Sequence, residues 1–325
     1  MKAIVQDVYG PPDVLELRDI DKPVAGDDDV LIRVRAAGVD PSVWHLMTGL
    51  PYPIRIMGFG LRRPKLRVRG WDVAGSVEAV GRNVTRFKPG DEVFGTCEGS
   101  FAEYACTRED RLAAKPAGAT VEQAAAVPIS AFTALYSLRE VGRLQPGQKV
   151  LVIGAGGGVG TYAVQLAKAV FAAEVTGVCS TGKTELVRSL GADHVIDYTR
   201  DDFAAAGRRY DLILDTAGNR PLSHLRRALT PRGTLVIVGG EGGGRWLGGL
   251  HRALGALALS PFIGQNLHAP FLKEPEADAL QALAEFMEAG RITPVIDRTY
   301  PLGEAADAVR HWEMGHARGK IVLTV

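Results

Sequence analysis

Cysteine is scarce in this chain. Cys97, Cys106 and Cys179 are the three among 325 residues, and they include no CxxC pair. An odd, widely spaced set excludes a disulfide framework and a cysteine-built zinc site as the basis of the fold. An excess of charge of one sign is also missing: 38 Lys and Arg meet 37 Asp and Glu, a net charge of +1. No global field therefore draws the chain to nucleic acid or to a lipid surface. No apolar run approaches the roughly 18 residues of a membrane span. The first residues, Met1-Lys-Ala-Ile-Val-Gln-Asp-Val-Tyr9, lack a signal-peptide core and read as a strand. With 46% hydrophobic and 23% charged residues, the composition is that of an ordinary globular protein, and the length allows two domains. These absences leave a cytoplasmic protein with a small-molecule ligand, and no nucleic-acid or membrane partner, as the expectation.

What is present is a glycine turn. The apolar run Val150-Leu-Val-Ile153 reads as a buried parallel strand ending at Gly154, and four of the next six residues are glycine. Thr161-Tyr-Ala-Val-Gln-Leu-Ala-Lys168 then shows helical spacing. Strand, glycine turn and helix together present backbone N–H groups and a positive helix end to a phosphate. Glycine serves such a turn by visiting positive φ and by letting a pyrophosphate approach the backbone. A tight turn with no ligand is the alternative; position within repeated βα units favours a dinucleotide site.

Residues 1–115 read as β-rich, with short alternating runs separated by clusters such as Gly10-Pro-Pro-Asp13 and Lys88-Pro-Gly-Asp91. That spacing predicts a barrel-like domain. Thr120-Val-Glu-Gln123 is a capping box that opens a helix, and Pro128 interrupts the helical pattern. From Gln148 the pattern is βα repeated, with strands expected at 149–154, 174–178, 194–197, 211–215 and 233–238. A doubly wound parallel sheet follows, its ligand crevice at the C-terminal strand ends. The glycine-rich segment Glu241–Gly249 reads as a mobile loop. Ala277–Glu288 and Ala305–Met314 read as helices, and Thr293–Tyr300 and Lys320–Val325 as strands.

Several stretches together resemble the medium-chain dehydrogenase/reductase superfamily over essentially the whole chain. They are Ala37-Gly-Val-Asp-Pro-Ser42, Gly70-Trp-Asp-Val-Ala-Gly-Ser-Val-Glu-Ala-Val-Gly81, Phe87-Lys-Pro-Gly-Asp-Glu-Val-Phe94, Gly154-Ala-Gly-Gly-Gly-Val-Gly160 and Gly315-His-Ala-Arg-Gly-Lys-Ile-Val322. The resemblance implies an α/β protein with a GroES-like β-barrel domain plus a Rossmann doubly wound parallel sheet. The expected boundaries are 1–122 with 269–325 for the substrate domain and 123–268 for the NADP-binding domain. Where zinc-dependent members carry a cysteine, this chain has Asp40; where they carry a His-Glu pair, it has Trp71-Asp72. Catalytic zinc needs three protein ligands, and indole is not one. No metal is expected, and the resemblance is to the zinc-free quinone oxidoreductase branch.

Cofactor choice turns on the strand after the glycines, which ends in Cys179-Ser-Thr-Gly-Lys183. No acid stands at its tip to accept the ribose 2′-OH of NAD, and a carboxylate there would repel a 2′-phosphate. Ser180 and Lys183 supply a hydroxyl and a positive charge. By the resemblance, Tyr198 lies at the adenosine phosphate, and Thr133, Gly239 and Gly240 line the groove with Gly157, Gly158, Val159 and Gly160. Lys320 reaches the cofactor from the closing strand, unless it is simply solvated. NADPH is the expected cofactor.

Gly177-Val-Cys-Ser-Thr-Gly-Lys-Thr184 also satisfies the P-loop pattern GxxxxGK[ST], and Leu212-Ile-Leu-Asp-Thr-Ala-Gly218 resembles a DxxG segment. A P-loop nucleotide hydrolase is thus an alternative, although it leaves the turn at 154–160 and the β-rich third unexplained. A zinc-free alcohol dehydrogenase or carbonyl reductase is a second alternative, and a cofactor-binding protein without turnover a third. Oxidising a plain alcohol without a metal leaves the alkoxide unstabilised. Hydride transfer to a quinone or to the β-carbon of an enone gives a delocalised anion that needs only hydrogen-bond donors. A zinc-independent, NADPH-dependent reductase of quinones or α,β-unsaturated carbonyls is therefore the leading expectation, with a homodimer implied by the resemblance.

The site candidates on the substrate side are Asp40, His45 and Tyr52, with Ser42 and Trp44 as further donors. His45 falls where related reductases place a tyrosine, and Tyr52 lies close to a second such position. Asp40 replaces a common asparagine. Residues 51–70 also hold Arg55, Arg62, Arg63, Lys65, Arg67 and Arg69 without an acid. They read as a solvated, mobile loop or as a docking surface for an acidic partner.

Overall fold

A computed structural model describes residues 1–205, 207–240, 244–270 and 273–325. The chain divides into two compact units, Met1–Phe132 with Glu274–Val325, and Thr133–Lys273. The first seam falls inside the helix Pro128–Tyr136, later than the expected 122/123.

The first unit is built on a long central strand, Asp29–Val39, which pairs antiparallel with three others: 320–324, 72–80 and 104–108. One strand can serve three neighbours because 104–108 pairs with residues 29–33 and 320–324 with residues 36–39, while 72–80 runs along 30–37 with register slips between Leu31 and Ile32 and again between Val34 and Ala36. Each slip bends the sheet and raises its twist, which is how an open sheet curls towards a barrel. The path continues through 92–96 to 112–114 on one side and ends with 296–301 on the other. The last pair is parallel, with the helix Ala305–Glu313 as its crossover. Inward positions of the alternating strands form one cluster around Val30, Ile32, Val34, Val73, Val77 and Val93. The capping box at Thr120 is formed as expected, with Gln123 N–H on Thr120 Oγ1 at 3.2 Å and Thr120 N–H on Gln123 Oε1 at 3.0 Å.

The second unit carries a six-stranded sheet in the order 194–197, 174–179, 149–153, 210–215, 229–237, 266–268. Every neighbouring pair is parallel. Lys149–Ile153 sits between 174–179 and 210–215, so the order reverses at its C-terminal end, where the ligand crevice of a doubly wound sheet opens. Five strands were expected. The sixth, Asn266–His268, has three residues and too little alternation to be read from sequence. The glycine-rich segment is corrected in part: within it Gly244–Leu247 is helical rather than a mobile loop, and Leu250–Leu259 beyond it forms a further helix. Leu250–Leu259 is held by the apolar side chains and by Arg252, whereas Glu241–Gly243 lie outside the described residues.

Candidate functional site

The glycine turn of the second unit is an open stretch of backbone. Gly154 takes φ +82°, and a Cβ there would stand 2.5 Å from Thr216 Oγ1. At Gly160 a Cβ would meet the Gly154 carbonyl at 2.1 Å, so helix 158–169 packs against its own turn only through glycine. Gly157 differs. A Cβ there has only Gly154 O nearby, at 3.4 Å, so the bare backbone leaves space rather than relieving a clash. Gly157 is the N-cap, followed by Gly158, Val159 and Gly160 in the first turn. First-turn N–H groups have no intrahelical acceptor and sit at the positive end of the helix dipole. An open backbone surface in front of such N–H groups fits a pyrophosphate.

Lys183 lies on this turn: a Cβ at Gly156 would meet the Lys183 stem at 2.7–3.3 Å. Ser180 begins the 3-10 turn Thr181–Lys183 without using its hydroxyl as a cap. Tyr198 is half exposed one strand away and is tied to the strand 174–179 by its N–H on Cys179 O at 3.1 Å. Sequence reasoning missed two charged neighbours here. The Arg220 guanidinium stands 6.0 Å from the Tyr198 ring centre. Asp197, at the tip of the adjacent strand, accepts from Thr181 Oγ1 at 2.5 Å and from Thr199 Oγ1 at 2.7 Å. The Thr181 bond is the largest cause holding the Asp197 carboxyl below its usual range. An acid thus stands near the second strand tip after all, supplied by a neighbouring strand that adjacency in sequence does not show.

Gly239 follows strand 229–237, and a Cβ there would meet Thr216 O at 2.2 Å. A Cβ at Gly240 would have Gly249 Cα at 3.4 Å. Thr133 is buried on helix 128–136. At the end of the central strand, Asp215 accepts from Gly218 N–H at 3.1 Å and is ion-paired with buried Arg252.

The P-loop reading fails on geometry. Gly177 lies within the strand Glu174–Cys179, and a Cβ there would meet Val187 Cγ1 at 2.4 Å and Ala155 Cβ at 3.1 Å. That glycine is explained by close helix–strand packing. One 3-10 turn between Cys179 and Thr184 leaves no loop to wrap a phosphate, and Asp215 is closed off by Arg252.

In the first unit Asp40 caps the helix Pro41–Thr48, accepting from Ser42 N–H at 2.7 Å, while its buried Oδ2 has no partner among the described residues. Trp44 is engaged: its Nε1–H donates to Glu313 Oε1 at 2.6 Å and its ring packs near Trp312. His45 Nδ1 lies 2.7 Å from Leu50 O. A carbonyl only accepts, so Nδ1 carries the hydrogen, and the neutral ring then offers Nε2 as an acceptor. Burial lowers the His45 pKa, which keeps the ring neutral. His45 is thereby corrected as a hydrogen-bond donor to substrate. Tyr52 lies beside Arg55, whose guanidinium is 5.0 Å from its ring centre and 4.3 Å from that of Tyr9.

The basic stretch divides. Arg55 closes the helix end by donating to Thr48 O and Gly49 O, Arg67 pairs with Asp7 at 2.6 Å, and Arg69 is buried; Arg62, Arg63 and Lys65 are exposed. A wholly solvated loop is therefore not what forms.

Lys320 is also redirected. It is 2% exposed, and its ammonium donates to Asp72 Oδ2 and to Ser130 Oγ, each at 3.0 Å. Asp72 is fully buried and takes Ile129 N–H at 2.8 Å on its other oxygen. Gly38 makes this possible, since a Cβ would fall 2.6 Å from Asp72 Oδ2. A lysine consumed in this way holds the barrel together instead of reaching out. Among the described residues no three His, Cys, Asp or Glu side chains group so as to hold a metal ion.

A GroES-like barrel and a doubly wound unit with a bare glycine turn, on one chain, are the architecture of a dinucleotide-dependent oxidoreductase. Residues 26–117 match the alcohol dehydrogenase GroES-like domain, and residues 190–323 the zinc-binding dehydrogenase domain. A 2-methylene-furan-3-one reductase of Solanum lycopersicum is 33% identical over 99% of this chain and 79% of its own. An NADPH-dependent alkenal/one oxidoreductase of Arabidopsis thaliana, chloroplastic, is 34% identical over the same shares, 99% and 79%. The quinone oxidoreductase of Coxiella burnetii superposes with a TM-score of 0.87 at 27% identity, covering 100% of this chain and 99% of that one. The chain belongs to the medium-chain dehydrogenase/reductase superfamily and is quinone oxidoreductase-like. No helix among the described residues is long and apolar enough to cross a membrane.

Proposed function

We propose that the protein reduces quinones or α,β-unsaturated carbonyls with NADPH and without zinc. The observation that carries the reading is the bare cradle at Gly156–Gly160 with the Lys183 stem laid over it. The turn fits a pyrophosphate, and Ser180, Lys183, Tyr198 and Arg220 offer donors and positive charge for a 2′-phosphate. Asp197 opposes that preference, but its oxygens are already bonded to two threonines. The cofactor, when bound, supplies a hydride. The relatives named for enone and alkenal reduction support the acceptor class.

In this reading the barrel's own residues supply no metal. Asp72, at the position of the zinc-dependent members' glutamate, is paired with the Lys320 ammonium, which leaves Asp40 as the single unpaired carboxylate at the former ligand positions, too few ligands for a catalytic zinc. The anion developing on the acceptor oxygen needs a hydrogen-bond donor. His45 Nε2 cannot serve while Nδ1–H is on Leu50 O, so the Tyr52 hydroxyl, or a water, is the proposed proton source. A homodimer remains part of the proposal and is read by the mass in solution.

The test is NADPH oxidation against quinones, enals, enones and enoyl thioesters, with NADH and plain alcohols as controls and with a chelator present. Turnover of a quinone or enone that survives chelation is expected. Turnover of alcohols alone, or loss of activity on chelation, would overturn the reading.

A further inference from the structure

Arg69 is a buried charge in the barrel unit to which none of the described residues supplies an ion-pair partner. It is 3% exposed, and its Nε and Nη2 are sealed from solvent with no hydrogen-bond partner. Its backbone is fixed in the Val5–Val68 bridge region, with its N–H on Ile4 O and its carbonyl accepting from Phe101 N–H. The side chain lines a cavity walled by Val43, Leu46, Leu66, Val68 and Trp71, with Gly70 and Gly99 completing it. Tyr9 is the one titratable group that favours its charge, and the Tyr9 hydroxyl is spent on the carbonyls of Phe59 and Gly60. Burial lowers the Arg69 pKa to about 10, so the guanidinium is still a cation at neutral pH.

A buried cation without a counter-charge is among the costliest arrangements in a protein interior. Water is a poor remedy. A water could accept from Nε and Nη2, but it brings no charge to set against the guanidinium. The free space is about 10 Å³, room for one water-sized body and not for a quinone ring. Beside Gly70, which takes φ +92°, Ser100 Oγ is buried and lacks a partner, and a Cβ at Gly70 would fall 2.3 Å from it.

We propose that this cavity is a binding site for a small monovalent anion of halide size, held by the Arg69 guanidinium fork between helix 41–48 and the segment 66–71. Occupation joins the helix carrying His45 to the segment leading into Asp72, so the anion stiffens the candidate substrate side without belonging to the reaction. The inference is independent of the acceptor and of the cofactor.

The experiment is thermal unfolding of the full chain in sodium chloride, sodium bromide and sodium gluconate at equal ionic strength, with bromide located by anomalous diffraction. Gluconate is too large for the cavity and serves as the screening control. Chloride and bromide should raise Tm by a few degrees over gluconate, saturably, and a bromide peak should lie within hydrogen-bond reach of Arg69 Nε and Nη2. R69M, which fills the cavity with an apolar chain, should lose the halide effect; R69K, which keeps the charge but not the fork, should retain only part of it. If R69M fails to fold, the wild-type halide series and the bromide peak decide alone. Equal stabilisation by halides and gluconate, or a cavity without bromide density, would overturn the proposal.

Discussion

The Lys320 ammonium lies 3.0 Å from Asp72 Oδ2, with the two side chains 2% and 0% exposed. They come from the closing strand 320–324 and from strand 72–80, 248 positions apart. Burial raises the Asp72 pKa and Lys320 opposes it. Removing one partner of a buried pair strands the other charge, at a cost of about 3–5 kcal/mol. K320M and D72N are each expected to lose stability on that scale in urea unfolding, K320M because it strands the carboxylate and D72N because it strands the ammonium and turns an amide NH2 towards either Lys320 or Ile129 N–H. The double variant D72N/K320M should recover much of the single loss. Equal stability of K320M and wild type would show that the pair is not closed as described.

The cofactor preference is tested at Lys183. If its ammonium meets a 2′-phosphate, K183A removes a charge-assisted bond of about 1.5–3 kcal/mol. The expected fall in kcat/KM for NADPH is therefore roughly 10- to 100-fold, with NADH almost unaffected. A parallel fall with both nucleotides would mean that Lys183 acts on the turn at Gly156 and not on the phosphate.

Much of this was legible because both units obey local rules. The run Val150–Ile153 is buried on both faces, and its period announced a parallel strand; the capping box at Thr120 needed only four residues to be recognised. What failed was long-range. Nothing near Lys320 in sequence signals Asp72, and Asp197 meets Thr181 only because two strands are neighbours. Arg69 sat among six basic residues that composition treats alike, whereas pairing with Ile4 turns it inward. His45 could be named from the sequence as a candidate, but its tautomer depends on a carbonyl five residues away.

Gly157 and Gly160 give opposite outcomes for the same substitution. G160A places a methyl 2.1 Å from a backbone oxygen, so thermal unfolding should show a clear loss of stability. G157A has 3.4 Å to its nearest atom and should fold as wild type. Its methyl nonetheless stands where a pyrophosphate would approach, so the KM for NADPH should rise by about tenfold or more, roughly 1.4 kcal/mol of binding. Normal NADPH kinetics in G157A would move the cradle elsewhere.

His45 supplies the pH test. Its pKa is lowered from 6.5, chiefly by burial. A group whose folded value lies below its unfolded value stabilises the fold above the unfolded pKa. That contribution is lost as pH falls from about 6.5 through the folded value. Wild type should therefore lose stability between pH 7 and pH 5 more steeply than H45N, whose amide can still donate to Leu50 O. With Nδ1–H engaged, His45 donates nothing to the acceptor, so H45N should keep kcat within a few-fold while Y52F lowers it by about 10-fold or more, the lower end of a general acid's contribution. A hundredfold loss of kcat in H45N, with Y52F unimpaired, would return the donor role to His45 and require the opposite tautomer.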